Sequence, residues 1–146
     1  MKFKTDEIVS VYKTLNNAKV TKMSLEDKMT VVKLLCALKP ISDGFDNYIS
    51  TINEKFKDDK FKEMEEKVNE IEKGNKKNIT EEEELSVKQY FSKYNKDITV
   101  AINEELNKEI EVEFNTINED AFGKLVDSND FTCAQIVILL SIIVNK

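Results

Sequence analysis

The sequence contains no histidine, no tryptophan and no arginine, so each of its 22 cationic side chains is a lysine. Histidine is the side chain that most often acts as a general base or binds a transition metal near neutral pH. Arginine carries the planar group that holds phosphate or carboxylate through two parallel hydrogen bonds. These absences argue against a histidine-activated nucleophile and against a transition-metal centre, although a lack of arginine is also typical of an AT-rich genome.

Glycine and proline are scarce as well, with three residues and one residue, whereas 40% of the residues are hydrophobic and 34% are charged. This composition is typical of a helix-rich soluble protein, and 146 residues are enough for one domain with its own core. We therefore expect a single helical domain over residues 1–146. The net charge of −6 argues against bulk nucleic acid as a partner, because that binding depends on clustered cations.

Two cysteines, Cys36 and Cys133, each lie within an apolar helical pattern. We expect both thiols to be buried and reduced, as is usual in a cytosolic protein. The first residues turn acidic before an apolar segment can form, which argues against a secretion signal. The pattern therefore favours a cytoplasmic protein without disulfide bonds.

The last apolar run, from Ile136 to Val144, is interrupted only by Ser141. Thr132 and Gln135 have the spacing of a capping box, so we expect a helix to begin there. About nine strongly apolar residues are too few to span a bilayer, which takes roughly 20. We expect this terminal helix to be covered by the amphipathic segments that precede it. The side chains expected in a core or a subunit interface are Ile138, Leu139 and Ile142.

Three helices are predicted in the first half of the chain. Apolar spacing predicts the first over residues 3–15, with Phe3 on its buried face. Ser24 predicts the start of a second helix, which we expect to end before Pro40 because proline disfavours the helical conformation there. A third covers residues 41–71 with a break near residues 57–60, where the apolar stripe slips. An exposed turn is expected over residues 73–78.

The second half combines helices with one strand. Thr80 and Glu83 predict the start of a fourth helix, which we expect to pair antiparallel with the third. The alternating stretch Glu109–Phe114 is the clearest strand pattern, and the segment around Val20 is its expected partner. Asn118 predicts a short helix before the terminal one. These patterns predict a mainly α fold, a helical bundle of about five to six helices with a small two-stranded β-ribbon.

Two acidic clusters are candidate metal sites, and neither has the ligands that a metal requires. The side chains of Glu81–Glu84 point in different directions around a helix, so a solvated helix N-terminus is the favoured interpretation. The segment Asp127–Asp130 lacks the glycine and the distal glutamate of a calcium loop and is interpreted as a turn. We therefore expect no metal, no cofactor and no enzymatic activity.

The most suggestive feature is an aromatic and lysine-rich region of the fourth helix. Aromatic rings beside lysines can stack on a base and hold a phosphate, so this region is a candidate ligand-binding site. Its predicted residues are Tyr90, Lys93, Tyr94 and Lys96. In the alternative interpretation, Phe91 and Tyr94 belong to the core, while Tyr90 and the lysines line its edge.

Several stretches of the sequence carry a resemblance to a known group of proteins. They are Ala18–Lys22, Ala37–Pro40, Tyr94–Asp97 and Ala121–Leu125, the last followed by Ser128–Asp130. Read as a whole, the chain resembles a family of small proteins encoded by phages and prophages of gut bacteria. The resemblance covers most of the chain and implies a phage accessory role, but it supplies no catalytic residues. Phe131 stands where members of this family carry a tryptophan.

Two classes of function follow from the resemblance and the composition. In the first, the protein is a non-enzymatic, host-directed binder in the host cytoplasm, either an anti-defence inhibitor of a host protein or a sponge for a small nucleotide signal. In the second, it is a virion assembly or structural component. We expect a homo-oligomer without a membrane partner, because the strand Ile110–Phe114 and the terminal helix both favour a neighbouring subunit.

Overall fold

The computed structural model describes residues 1–74 and 80–146, and in these residues the chain forms six helices and two short strands. The elements, in chain order, are β1 (Lys2–Lys4), α1 (Thr5–Asn16), α2 (Leu25–Lys55), α3 (Asp59–Glu72), α4 (Glu81–Leu106), β2 (Glu109–Glu111), α5 (Glu119–Asp127) and α6 (Cys133–Ile143). The predicted fold class, mainly α with a small two-stranded ribbon, is confirmed. Most of the turn predicted over residues 73–78 lies outside the described residues.

The chain divides into two compact units. Unit 1 consists of Met1–Asp46 and Leu106–Lys146, and unit 2 consists of Asn47–Glu105. Helix α2 contributes residues 25–46 to unit 1 and its remaining residues to unit 2. The expectation of one domain over residues 1–146 concerns how the units fold together, and it stays a prediction.

Unit 1 is built around mainly aliphatic side chains from four helices. Each helix places its buried residues three or four positions apart, the spacing that forms one apolar face. The central residues of this core are Ile8, Val11 and Leu15 of α1; Val31, Leu34 and Leu38 of α2; Ala121, Phe122 and Leu125 of α5; and Leu139, Ile142 and Ile143 of α6. Since the helices come from both ends of the chain, the core joins the N-terminal and C-terminal segments.

The terminal helix begins where the sequence predicts. Thr132 and Gln135 form the capping box, in which the Thr132 hydroxyl accepts from the Gln135 N–H at 3.2 Å. Leu139 is fully buried, but Val137 and Leu140 are 65% and 47% exposed. The prediction for Ile138, Leu139 and Ile142 is confirmed, since two of them lie in the core and Ile138 packs against it. The expectation that the preceding segments cover the helix is wrong for the face that carries Val137 and Leu140, which the core does not reach.

The sequence patterns identify one of the two strands of the ribbon, β2, and not the other, β1. Strand β1 pairs antiparallel with β2, and Phe3 lies opposite Ile110. The prediction that Phe3 belongs to the first helix is wrong, since α1 begins at Thr5. Phe3 is held in the ribbon instead, where its ring stacks on that of Phe114 at a centroid distance of 5.8 Å.

The segment around Val20 does not form the predicted strand. The side-chain amide of Asn129 accepts from the Lys19 backbone N–H at 2.7 Å and donates to the Lys19 carbonyl at 2.8 Å. Lys22 also forms an ion pair with Asp127 at 2.5 Å. These bonds give the segment polar partners at the end of α5, so its backbone is not left to pair with β2.

Helix α2 passes through Pro40, where the sequence predicts its end. Proline removes one hydrogen bond, the one to the carbonyl of Cys36 four residues earlier. Both residues are exposed, so water can pair with that carbonyl. On the opposite face, Leu38 and Ser42 stay buried and carry the core side of the helix across the proline. The prediction of a helix end is therefore wrong.

Both cysteines are free, as predicted, but both are exposed. The buried face of α2 passes through Leu34 and Leu38, and Cys36 is about 200° away from each of them around the helix. Cys133 is the first residue of α6 and precedes the buried part of that helix. The prediction of burial is therefore wrong, because apolar character alone does not place a residue on the covered face.

Candidate functional site

The candidate site lies in unit 2, where α3 and α4 pack against each other. The predicted break in the third helical segment is confirmed, since α2 ends at Lys55 and α3 begins at Asp59. Asp58 caps α3 by accepting a hydrogen bond from the Phe61 N–H at 2.8 Å. Gly74 follows α3 with a φ of +76°, a conformation that favours glycine.

Helix α4 begins with the predicted cap, in which the Thr80 hydroxyl accepts from the Glu83 N–H at 3.2 Å. Near the start of α3, Phe61 contacts Phe91 and Tyr94 halfway along α4. This contact places the start of α3 beside the middle of α4, which is the register of an antiparallel pair. The pairing brings residues 56–61 next to the predicted site on α4.

Five aromatic rings form the contact between these segments. The Phe61 and Tyr94 centroids are 4.9 Å apart, and the Phe61 and Phe91 centroids are 5.7 Å apart. Phe56 meets Tyr94 edge-on at 6.4 Å, and Tyr90 stacks on Tyr94 at 6.3 Å with 22° between their planes. All five rings are only partly buried. The cluster therefore packs the unit and also leaves ring surface facing solvent.

Asp58 links the two helices through one carboxylate oxygen. The oxygen that caps α3 also accepts a hydrogen bond from the Tyr90 hydroxyl at 3.2 Å. Desolvation raises the pKa of Tyr90, and the charge and hydrogen bond of Asp58 raise it further, because each favours the neutral phenol. The hydrogen bond thereby links the Tyr90 side chain, at the edge of the cluster, to the start of α3.

A cleft of about 280 Å³ opens beside this hydrogen bond. It is lined by Phe56, Asp58, Lys60, Tyr90, Lys93, Tyr94 and Asp97. The Lys60 ammonium lies 5.7 Å from the centroid of the Tyr90 ring, within the range of a cation–π contact. Within residues 1–74 and 80–146, the ammonium groups of Lys60 and Lys93 have no ion-pair partner, and neither does the Asp97 carboxylate. The cleft therefore combines ring faces with charges of both signs.

Three of the four predicted site residues line this cleft, and the fourth does not. Tyr90, Lys93 and Tyr94 share one face of α4 because they are three or four residues apart. Lys96 is two residues beyond Tyr94, which turns it about 200° around the helix to an exposed position outside the cleft. Because Lys93 and Lys96 are only three residues apart, helical spacing does not separate them, and it is the position of the cleft that includes Lys93 and leaves Lys96 out.

The sequence prediction missed four residues that line the cleft. Asp97 follows Lys93 by four residues and Tyr90 by seven, so helical spacing could have identified it. Phe56, Asp58 and Lys60 come from another part of the chain and reach the site through the pairing of α3 with α4. No local pattern marks them, because the register of that pairing is a tertiary property.

Other parts of the molecule offer less chemistry. Unit 1 has a larger depression of about 700 Å³, but Phe3 is the one aromatic side chain that lines it, and the Phe3 ring is already stacked on Phe114, which is not part of that lining. Among the described residues, no cluster of three or more Cys, Asp or Glu side chains is placed to hold a metal ion. Within the same residues, none of the helices has the length and apolar character needed to cross a membrane. The unit 2 cleft is therefore the best-supported candidate site.

No protein-family model, no curated protein and no solved structure shows a significant match to the chain.

Proposed function

We propose that this protein is a non-enzymatic binding protein whose unit 2 cleft holds a small nucleotide. The observation that carries the proposal is the stacked ring pair of Tyr90 and Tyr94 beside the ammonium group of Lys93, which has no ion-pair partner among the residues that the structure describes. An aromatic ring can stack on any base, because every base has a flat π face, and a nearby lysine supplies positive charge for a phosphate. This combination favours a nucleotide over a purely apolar ligand.

Each charged group of the cleft has a place in this proposal. The ammonium groups of Lys60 and Lys93 meet the phosphate, and the base takes the place against the Tyr90 ring that the Lys60 ammonium leaves. The Asp97 carboxylate accepts hydrogen bonds from sugar hydroxyls, a role that acidic side chains have in other nucleotide sites. Asp58 is already occupied by the Phe61 N–H and the Tyr90 hydroxyl, so it acts by holding the ring in place.

The size of the cleft limits the ligand. A volume of about 280 Å³ lies near the lower end of small-molecule sites, which start at roughly 300 Å³. This size suits one nucleotide unit. The net charge of −6 also disfavours a long polyanion, so the ligand is a small nucleotide and not a nucleic acid.

The biological role that we propose is sequestration or inhibition inside a host cell. A protein that sequesters a nucleotide signal needs high affinity for that nucleotide and enough copies to bind most of it. It needs no catalytic group. The phage accessory role is the one implied by the resemblance of Ala18–Lys22, Tyr94–Asp97 and Ala121–Leu125 to phage-encoded proteins. Under this proposal the protein acts in the host cytoplasm, and the cleft is where the signal is held.

The test is calorimetric titration with a panel of nucleoside monophosphates and cyclic dinucleotides, using Lys93→Ala and Lys96→Ala as a matched pair. Both variants remove one lysine from α4, but only Lys93 lines the cleft. We expect Lys93→Ala to weaken binding about tenfold or more, since a hydrogen bond to a charged group is worth about 1.5–3 kcal/mol. Lys96→Ala is expected to leave the affinity within about twofold.

Two results would contradict the proposal. One is that no nucleotide of the panel binds at millimolar concentration, and the other is that the two variants weaken binding equally. A Tyr90→Phe variant completes the series, because it keeps the ring and removes only the hydroxyl that Asp58 holds. We expect it to bind more weakly than the wild type and more tightly than Lys93→Ala.

A second proposal is a structural role in a phage particle. The exposed apolar side chains of Val137 and Leu140 on α6 favour it, because an assembly protein needs apolar surface to bury against its neighbours. Mass spectrometry of purified particles tests it directly. Finding the chain at stoichiometric copy number would favour the structural role, and finding it only in the cell lysate would favour the binder.

A further inference from the structure

Helix α2 carries a second apolar face that the protein leaves in solvent. Leu25, Met29 and Val32 are 76%, 47% and 48% exposed, and Cys36 is exposed as well. The successive spacings of these residues are four, three and four, so they form one straight stripe along the helix. We refer to these four residues as the α2 stripe.

The α2 stripe lies away from the core. The buried residues of this part of α2 lie between about 120° and 240° around the helix axis from Leu25; they are Val31, Leu34 and Leu38. The residues of the α2 stripe all lie within about 40° of Leu25. The stripe is about 16 Å long at 1.5 Å per residue. Helix α2 is therefore apolar on two faces, and only one of them is covered within unit 1.

A polar group marks the end of the stripe. The next positions at the same spacing are Lys39 and Asp43, which form an ion pair at 2.7 Å. An apolar contact along this face therefore covers about three helical turns and no more. The spacing and the sharp end are typical of a short helix-pairing surface of the coiled-coil type, in which apolar residues alternate three and four positions apart.

We propose that the α2 stripe pairs with the same stripe of a second copy of this chain, with the two helices antiparallel. In that arrangement Met29 faces Val32 of the second copy, and Leu25 faces Cys36 of the second copy. The stripe is then buried against itself through a two-fold axis, and each copy contributes identical residues. This inference is independent of the nucleotide proposal, because it concerns unit 1 alone.

The charges along the stripe favour a second copy as the occupant. Glu26 and Lys33 lie on the same edge of the stripe, seven residues apart. The two-fold axis of an antiparallel pair brings Glu26 against Lys33 of the second copy, and the reverse pair forms with it. Both side chains are exposed, and neither forms an ion pair within residues 1–74 and 80–146. In an antiparallel pair, this edge of one copy is therefore complementary in charge to the same edge of the second copy.

The same charges disfavour a parallel pair. A parallel arrangement brings the two opposite edges of the stripe together, so that Lys28 faces Lys33 of the second copy. Like charges at these flanking positions repel and select the other orientation. The charges at the edges of the stripe thus determine the direction of the pairing, and its apolar residues provide the contact.

Sedimentation velocity over a concentration series, from low micromolar to several hundred micromolar, tests the proposal on the full chain. A contact of about three turns is small, so we expect a reversible dimer with a dissociation constant on the order of micromolar. Met29→Glu/Val32→Glu is expected to weaken the dimer on the order of 100-fold, because it places four carboxylates in the contact. Circular dichroism checks that the variants fold, since both positions are exposed.

The matched control is Val137→Glu/Leu140→Glu, which makes the same change on the exposed face of α6. We expect it to leave the dissociation constant within about twofold. A wild-type protein that remains a monomer at the highest concentration would overturn the proposal. So would a dimer that the α6 variant dissociates and the α2 variant does not.

Charge exchange tests the direction of the pairing. Glu26→Lys and Lys33→Glu each replace two attractive pairs with two repulsive ones, so each is expected to weaken the dimer about tenfold. The double variant Glu26→Lys/Lys33→Glu restores the pairs and is expected to restore the wild-type affinity. If Lys33→Glu tightens the dimer instead, the pairing is parallel and the antiparallel arrangement is wrong.

Discussion

Unit 1 buries mainly aliphatic side chains that four helices contribute from both ends of the chain, whereas unit 2 is held by five aromatic rings that remain partly exposed. In unit 1, Leu139 and Leu125 are fully buried, and each of the four helices contributes three or more residues to the same core. Among the described residues of unit 2, the buried apolar side chains are few: Ile52, Met64 and Val87. The two units therefore differ in how much apolar surface they remove from water.

Because of this difference, we expect unit 1 to contribute mainly to stability and unit 2 to contribute mainly to ligand recognition. Burial of aliphatic side chains is the main favourable term in folding, so unit 1 is expected to hold most of the stability of the chain. Partly exposed rings contribute less burial, but they keep ring faces in contact with solvent, where a ligand can stack. Unit 2 offsets its smaller core with polar links such as the hydrogen bonds of Asp58.

The largest effect is expected from Leu139→Ala in unit 1. The substitution leaves a cavity in the centre of the aliphatic core, so we expect the free energy of unfolding to fall by about 2–5 kcal/mol. Urea denaturation followed by circular dichroism measures the change. Leu140→Ala is the matched control, because this neighbour in α6 is 47% exposed, and its substitution is expected to cost less than about 1 kcal/mol. Equal losses for the two variants would contradict the assignment of the core.

A smaller effect is expected from Asp58→Ala in unit 2. The variant loses the cap of α3 together with the acceptor for the Tyr90 hydroxyl, and loss of a cap costs about 0.5–2 kcal/mol. Asp58→Asn keeps an acceptor oxygen and is expected to retain most of that stability. Asp59→Ala serves as the control, since Asp59 lies one residue further on and does not cap the helix. If Asp58→Asn and Asp58→Ala lose the same stability, the capping role is wrong.

The smallest effect is expected from Tyr90→Phe, and it appears only at alkaline pH. The folded protein raises the pKa of Tyr90, so the folded state binds this proton more tightly than the unfolded chain does. Below the ordinary tyrosine pKa of about 10, both states are protonated and this group adds no pH dependence. As the pH rises above about 10 toward the raised pKa, the unfolded state loses its proton first, and the stability of the folded protein falls.

Tyr90→Phe removes this contribution, so its stability relative to wild type is expected to rise as the pH increases above about 10. Urea unfolding at a series of pH values measures the difference between the two proteins, in which contributions from other groups cancel. A difference that stays constant with pH would mean that the environment of Tyr90 is the same in the folded and unfolded states. In that case Asp58 would not hold the ring.

Local signals in the sequence predict helix starts well. Ser24, Thr80, Asn118 and Thr132 each mark the beginning of a helix, because a side-chain oxygen satisfies a backbone N–H within the next three residues. The break near residues 57–60 is also local, since the apolar stripe slips there. These features depend on residues close together in the chain, so no knowledge of the tertiary fold is needed.

The wrong predictions depend on contacts between distant parts of the chain, which decide the side of a helix that is covered and the segments that pair. Pro40 does not end α2, because the hydrogen bond that it removes lies on the exposed face. Cys36 is exposed, because the core touches the other side of the same helix. Val20 does not pair with β2, because Asn129 supplies hydrogen bonds to that segment and Phe3 lies in the strand that pairs instead.

The same division applies to the candidate site. The sequence by itself determined that Tyr90, Lys93 and Tyr94 share a face of one helix, because spacing along a helix fixes direction around it. Only the tertiary structure decided that Asp58 and Lys60 join them and that Lys96 does not line the same cleft. The physical reason is the separation along the chain of the residues that interact. Helix caps and helical faces arise from residues within about one turn of each other. The pairing of α3 with α4 depends instead on contacts between residues about 30 positions apart, such as Phe61 and Phe91.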